Sequence, residues 1–183
     1  MRKLNAICVF CGSSMGNNEE IVQQASELGN TLAKQEISLI YGGAKIGIMG
    51  KVADGVLDAG GKVIGIIPEF LKQKEIVHLG LTELITTKDM HERKMKMQEM
   101  SSGFITLPGG FGTLEELFEA VTWAQLDLHK KPIGILNIGG YYDNLVALLH
   151  TMVDTGFLKK EHIDLLIVEQ DIELLLQKMN TSN

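Results

Sequence analysis

Short apolar runs alternate with longer stretches of helical periodicity from one end of the chain to the other, and that alternation leaves few folds open. The runs are Ala6 to Phe10, Ile37 to Tyr41, Lys62 to Ile67, Phe104 to Leu107, Ile133 to Asn137 and Leu165 to Val168, with a weaker one at Leu81 to Thr86. Helices are expected near Glu19 to Gln35, Ile48 to Ala59, Asp89 to Ser101, Thr113 to Leu128, Tyr142 to Asp154 and Asp171 to Met179. Strand, helix, strand repetition closes into right-handed crossovers and so predicts a doubly wound parallel sheet with helices on both faces. Strands that are apolar on both sides of their alternation agree with burial from both faces. The length of 183 residues fits one such domain, spanning 1–183. A single longer excursion, "PEFLKQKEIVHLG" from Pro68 to Gly80, reads as a flap or a short extra helix.

Charge and hydropathy exclude several functions. A formal net charge of -6 without a long basic patch argues against nucleic acid and anionic membrane as partners. No stretch approaches the roughly 20 apolar residues a spanning helix needs, and the short apolar run in "MRKLNAICVFCGSS" reads as a strand rather than a signal segment, so the expected location is the cytoplasm. Cys8 and Cys11 form a C-x-x-C. On an extended strand, residues three apart point to opposite faces, and no second pair completes a zinc site, so both are expected to be packing residues. No metal and no cofactor is expected.

Three strands end in glycine-rich turns: "FCGSS", "YGGAKIGIMG" and "LPGGFGT". In an open α/β sheet the carboxyl ends of the strands are where ligands bind. Three glycine turns there predict a backbone-lined anion pocket, with Ser14, Gly42, Gly43, Gly109 and Gly110 among its residues. Named phosphate motifs fail: Gly50-Lys51 is followed by Val52 rather than a hydroxyl, and "GFGTLE" carries glutamate where a dinucleotide fingerprint needs its third glycine. Thr113-Leu114-Glu115-Glu116 also reads as a capping box, in which Thr113 and Glu116 satisfy the helix's own first amides. The pattern alone leaves both readings standing.

The segment "DMHERKMKMQEMS" adds a second oddity. Met90, Arg93, Met97 and Met100 share one helical stripe, so a charge interrupts the face that should be buried. Such a charge is commonly a snorkelling side chain. Arginine is also the preferred fork for phosphate or carboxylate, and Lys94 beside it adds a point charge.

With these residues laid out, the chain resembles the LOG family, the cytokinin riboside 5'-monophosphate phosphoribohydrolases, whose bacterial members were often labelled lysine decarboxylases. The likeness runs through "CVFCGSS", "YGGAKIGIMG", "DMHERK", "PGGFGTLEE", "TWAQL" and "GYYDNL". It implies a Rossmann-like fold and hydrolysis of the N-glycosidic bond of an adenosine 5'-monophosphate, plain or N6-modified, giving free base and ribose 5-phosphate. It implies Glu116 and Arg93 as the catalytic pair. Substrate contacts carry over to Lys94, Met90, Gly109, Gly110, Phe111, Gly112, Thr113, Leu114 and Glu115, with Glu75 in the excursion and Thr122 farther along the helix. One departure from the family stands in the second turn, where Ala44 replaces a third glycine. No lysine sits in a recognisable pyridoxal-phosphate context, so decarboxylation finds no support.

Breaking a ribosyl C–N bond builds positive charge on the sugar, which a carboxylate beside the ring stabilises while it orients water. The rival reading is a nucleotide or molybdenum-cofactor carrier on the same fold, which uses glycine turns but has no need of Glu116 beside Arg93. The helix from Thr113 shows Leu114, Leu117, Phe118 and Val121 on one stripe and Ala120 with Trp123 on another. Two apolar faces predict one against the sheet and one against a second subunit, a homodimer as in the family.

Overall fold

The computed structural model describes residues 4–72 and 76–182. Seven parallel strands form one sheet in the order β4-β3-β2-β1-β5-β6-β7: β1 (Ala6–Phe10), β2 (Ser38–Tyr41), β3 (Val63–Pro68), β4 (Glu83–Thr87), β5 (Gly103–Thr106), β6 (Ile133–Leu136) and β7 (Leu166–Glu169). All seven runs expected from the sequence are strands. The weak one, β4, pairs only with β3 at the sheet edge, which explains its polar composition.

The helices are α1 (Glu19–Lys34), α2 (Gly47–Asp58), α3 (Glu69–Lys72), α4 (Met90–Met100), α5 (Phe111–Gln125), α6 (Asp143–Asp154), α7 (Lys160–Ile163) and α8 (Ile172–Thr181). A 3-10 turn covers Ile138–Gly140. The short α3 lies in the excursion after β3, as one of its two sequence readings had it.

Two core clusters coat the two sheet faces. One gathers Val9, Leu39 and Ile105 under α1, α2 and α8; the other gathers Phe10, Ile40, Ile66 and Phe104 under α4, α5 and the start of α6. Cys11 belongs to the first cluster and Cys8 to the second, both thiols free, so the sheet itself keeps them apart. Burial pushes both thiols up, and they stay neutral.

Two details of α5 differ from the sequence reading. The helix starts at Phe111 with Gly110 as its N-cap, so Thr113 is the third helical residue, buried, and no capping residue at all. The capping-box reading therefore fails, because a cap needs extended backbone at the threonine. Ala120 also sits with Thr113, Leu117 and Ala124 on the sheet-facing side, while Leu114 and Val121 only flank it.

Candidate functional site

The strand order reverses direction of growth between β1 and β5, and the loops leaving these two strands part to make a cleft. Its floor is tied by the Gly12 amide donating to the Pro108 carbonyl at 3.1 Å. The cleft holds about 480 Å³ and is lined by Ser13, Ser14, Asn17 and Ile48 on one side and by Gly109, Gly110 and Tyr141 on the other.

Helix N-termini are satisfied in different ways, and of the longer helices α2, α5 and α6 have no side-chain cap. Asn18, Asp89 and Asp171 cap α1, α4 and α8 by accepting from Glu20, Glu92 and Leu174 amides. The first amides of α2 are taken by the β1 loop, Ile48 and Met49 donating to the Ser14 and Gly12 carbonyls. At α5 no side chain caps the first turn. Space is open as well: a Cβ built at Gly110 or Gly112 meets nothing within 4 Å, and neither glycine has a positive φ. The fold itself has no need of glycine at these two positions. Bare amides at a helix N-terminus, with nothing crowding them, form an anion cradle.

The second glycine turn is closed. A Cβ at Gly42 would land on the Arg93 guanidinium and lie 2.5 Å from Met49 Cε, and Gly43 has φ +83°. Gly42 leaves the room that the Arg93 guanidinium occupies, and Gly43 supplies the left-handed backbone of the turn. Ala44 has ordinary backbone and is fully buried, so the departure from the family pattern is accommodated without strain. Residues 76–78 strap this turn: Lys45 N–H donates to the Ile76 carbonyl at 2.7 Å and His78 N–H to the Gly43 carbonyl at 3.0 Å. His78 is clasped in turn, its Nδ1 accepting from the Gly80 amide and its Nε2 bonded to Asp54 at 3.0 Å.

Arg93 does not snorkel. It is buried at 6% exposure, and its Nε donates to the Ile66 carbonyl at 3.0 Å while Nη1 meets Met90 Sδ at 3.8 Å. Glu116 comes from α5 toward the same place. Loss of water pushes its carboxyl up to about 7, a rise the Arg93 charge only partly offsets. The neighbouring carboxylates are in another situation. Lys94 Nζ donates to Glu115 Oε1 at 2.6 Å and Glu119 Oε2 at 2.7 Å. Desolvation pulls the Lys94 pKa down, but these two bonds outweigh it and hold the ammonium above its ordinary range.

The expected site residues thus fall into three groups. Ser14, Gly109 and Gly110 line the cleft, with Phe111 (94% exposed) and Gly112 at its edge. Gly42, Gly43, Met90 and Arg93 meet beside it at the carboxyl end of β2 and β3, and Glu116 on α5 feels the Arg93 charge without a direct ion pair. Lys94 and Glu115 pair with each other on the α4–α5 side of that centre, Thr113 and Leu114 serve packing, and Thr122 is exposed farther along α5. Glu75 lies outside the described residues. Sequence reasoning missed the tyrosine clasp: Tyr141 Oη donates to the Gly109 carbonyl at 2.7 Å and Tyr142 Oη to the Leu107 carbonyl at 2.8 Å. The paired tyrosines of "GYYDNL" after a Gly-Gly were the available signal. Among the described residues no cluster of His, Cys, Asp or Glu is arranged to hold a metal.

Fold and site together define a doubly wound α/β protein with an uncapped helix terminus at its topological switch point. Known proteins place it further. The family described as possible lysine decarboxylase matches residues 49–179. Cytokinin riboside 5'-monophosphate phosphoribohydrolase LOG5 of Arabidopsis thaliana is 45% identical over 97% of this chain and 78% of its own. LOG3 of the same plant is 44% identical over 97% and 82%. The chain belongs to this family, the LOG family. Among solved structures, the molybdenum cofactor binding protein of Rippkaea orientalis superposes with a TM-score of 0.72 at 24% identity, covering 97% of this chain and 96% of that one. The Moco carrier protein of Chlamydomonas reinhardtii gives 0.68 at 23%, over 96% and 99%. At such identities the likeness establishes a shared fold.

Proposed function

We propose that the chain hydrolyses the N-glycosidic bond of adenosine 5'-monophosphates, plain or N6-modified, to free base and ribose 5-phosphate. The observation that carries this reading is a half-buried carboxyl, Glu116, within the field of a buried guanidinium, Arg93, one turn from a helix terminus with open amides. The amides of Phe111 to Thr113 take the 5'-phosphate. Glu116 sits one turn further along the helix, within reach of the ribose, and orients the water that attacks C1' as the C1'–N9 bond breaks; the departing base leaves with a proton. As the ring gains oxocarbenium character, ionised Glu116 stabilises it, and Arg93 holds Glu116 ionised. A group titrating near 7 suits a base working at neutral pH.

The relatives' activity supports the same reaction, and the carrier reading draws only on the fold. Product analysis with AMP, isopentenyladenosine monophosphate and GMP side by side decides between them and ranks the bases. Glu116→Gln is expected to lose about 10²-fold or more in base release, the usual contribution of a general base. Near-full turnover in that variant removes Glu116 from the mechanism. Nucleotide binding without base release from any of the three establishes a carrier.

The expected homodimer finds support in the apolar side chains exposed on α4 and just past α5, Met95, Met100, Leu126 and Leu128. Light scattering that returns a monomer removes this part of the reading.

A further inference from the structure

Beside Glu116, between α4 and α5, lies a small, partly enclosed cavity of about 10 Å³ lined by Phe10, Lys94, Met97, Gln98, Glu116 and Glu119. That is room for one water molecule. Three of its polar wall residues have unspent hydrogen-bonding capacity. Gln98 is buried at 6% exposure, and its Oε1 has no partner among the described residues. Lys94 spends two of its three N–H donors on Glu115 and Glu119. Glu116 brings a carboxyl with several acceptor positions. A buried water typically makes about three hydrogen bonds, and these groups supply that number: one accepted from Lys94, one donated to Gln98 Oε1 and one donated to Glu116.

We propose that a single buried water fills this cavity and that Gln98 and Lys94 act through it as positioning residues for Glu116. The water gives the carboxylate a donor on the side away from the cleft, which favours its charged form and fixes its plane for the reaction. The titratable or charged groups around Glu116 are Arg93 and Lys94 on α4, Glu115 and Glu119 on its own helix, and the neutral thiols of Cys8 and Cys11. Only the water reaches it from behind as a neutral donor. Gln98 thereby gains a role that its position on the inner face of α4 does not otherwise explain, since an orphaned buried acceptor is normally selected against.

The proposal deepens the assignment of Glu116 in the proposed function, but its test needs no turnover. Carbon-13 carboxyl spectra of glutamate-labelled protein, recorded without nucleotide, report the titration of Glu116, whose resonance is identified by its loss in Glu116→Gln. Gln98→Met keeps the side-chain volume and removes the acceptor. With the water lost or unanchored, the Glu116 midpoint is expected to rise by about half a pH unit or more. Gln98→Leu is expected to shift it the same way, which guards against one variant folding poorly. A midpoint unchanged in both variants overturns the proposal, and so does a high-resolution crystal structure of the wild type with no density in the cavity. A shifted midpoint in a protein that releases no base leaves the water in place and sinks the enzymatic reading alone.

Discussion

The turns after β2 and β5 are both glycine-rich and sit at the same end of the sheet, yet their glycines answer opposite demands. At Gly42 and Gly43 the surroundings are full: Arg93 presses on one, and the other holds a left-handed backbone under the 76–78 strap. At Gly110 and Gly112 the surroundings are empty and the backbone is ordinary. One turn needs its glycines so that the protein can pack; the other does not, and under the proposed function its open amides are where the phosphate approaches. Sequence shows two similar motifs, and only the coordinates separate the packing role from the access role.

Substitutions break this comparison cleanly. Gly42→Ala is expected to have the largest effect, costing about 1–3 kcal/mol as overpacking and displacing Arg93, so that urea unfolding and base release both suffer. Next comes Glu116→Gln, whose stability effect depends on pH. The folded carboxyl titrates near 7 against about 4.5 when unfolded, so the native state binds the proton more tightly. Its ionisation therefore costs stability that builds between pH 4.5 and 7 and persists above. The variant should gain on the order of 2 kcal/mol at pH 8 and little at pH 4, read as a shift of denaturant midpoint, while losing turnover. At the open turn, Gly110→Ala should leave unfolding within about 0.5 kcal/mol of wild type and raise KM several-fold. An equal loss of stability at Gly110 and Gly42 would erase the distinction. Smallest in its effect on the site is Ala44→Gly, which should cost about 0.5–1 kcal/mol of stability through a freer unfolded chain, with KM unchanged.

Much of the fold was legible because six strands announced themselves by β-rich apolar runs, the edge strand β4 more weakly, and the long helices by their period. The start of α5 was not. Thr-x-x-Glu is a capping signature in isolation, but here Gly110 takes the cap position and Thr113 is buried one turn in, against Gly109. Arg93 could be seen interrupting a methionine stripe, but not where its guanidinium went. That depends on a carbonyl of β3 and a glycine of the second turn, both distant in sequence. Lys94 next to it looked equivalent, yet a rotation of about 100° sends it to Glu115 and Glu119 instead. Gln98 carried no signal at all, since an orphaned amide exists only once two helices are packed.

The cleft walls come from the loop after residue 12 and the turn after residue 108, joined by one backbone hydrogen bond between Gly12 and Pro108. During synthesis the first wall leaves the ribosome long before the second, and the cleft exists only once β5 has paired with β1. A nucleotide that binds there favours that long-range pairing by mass action.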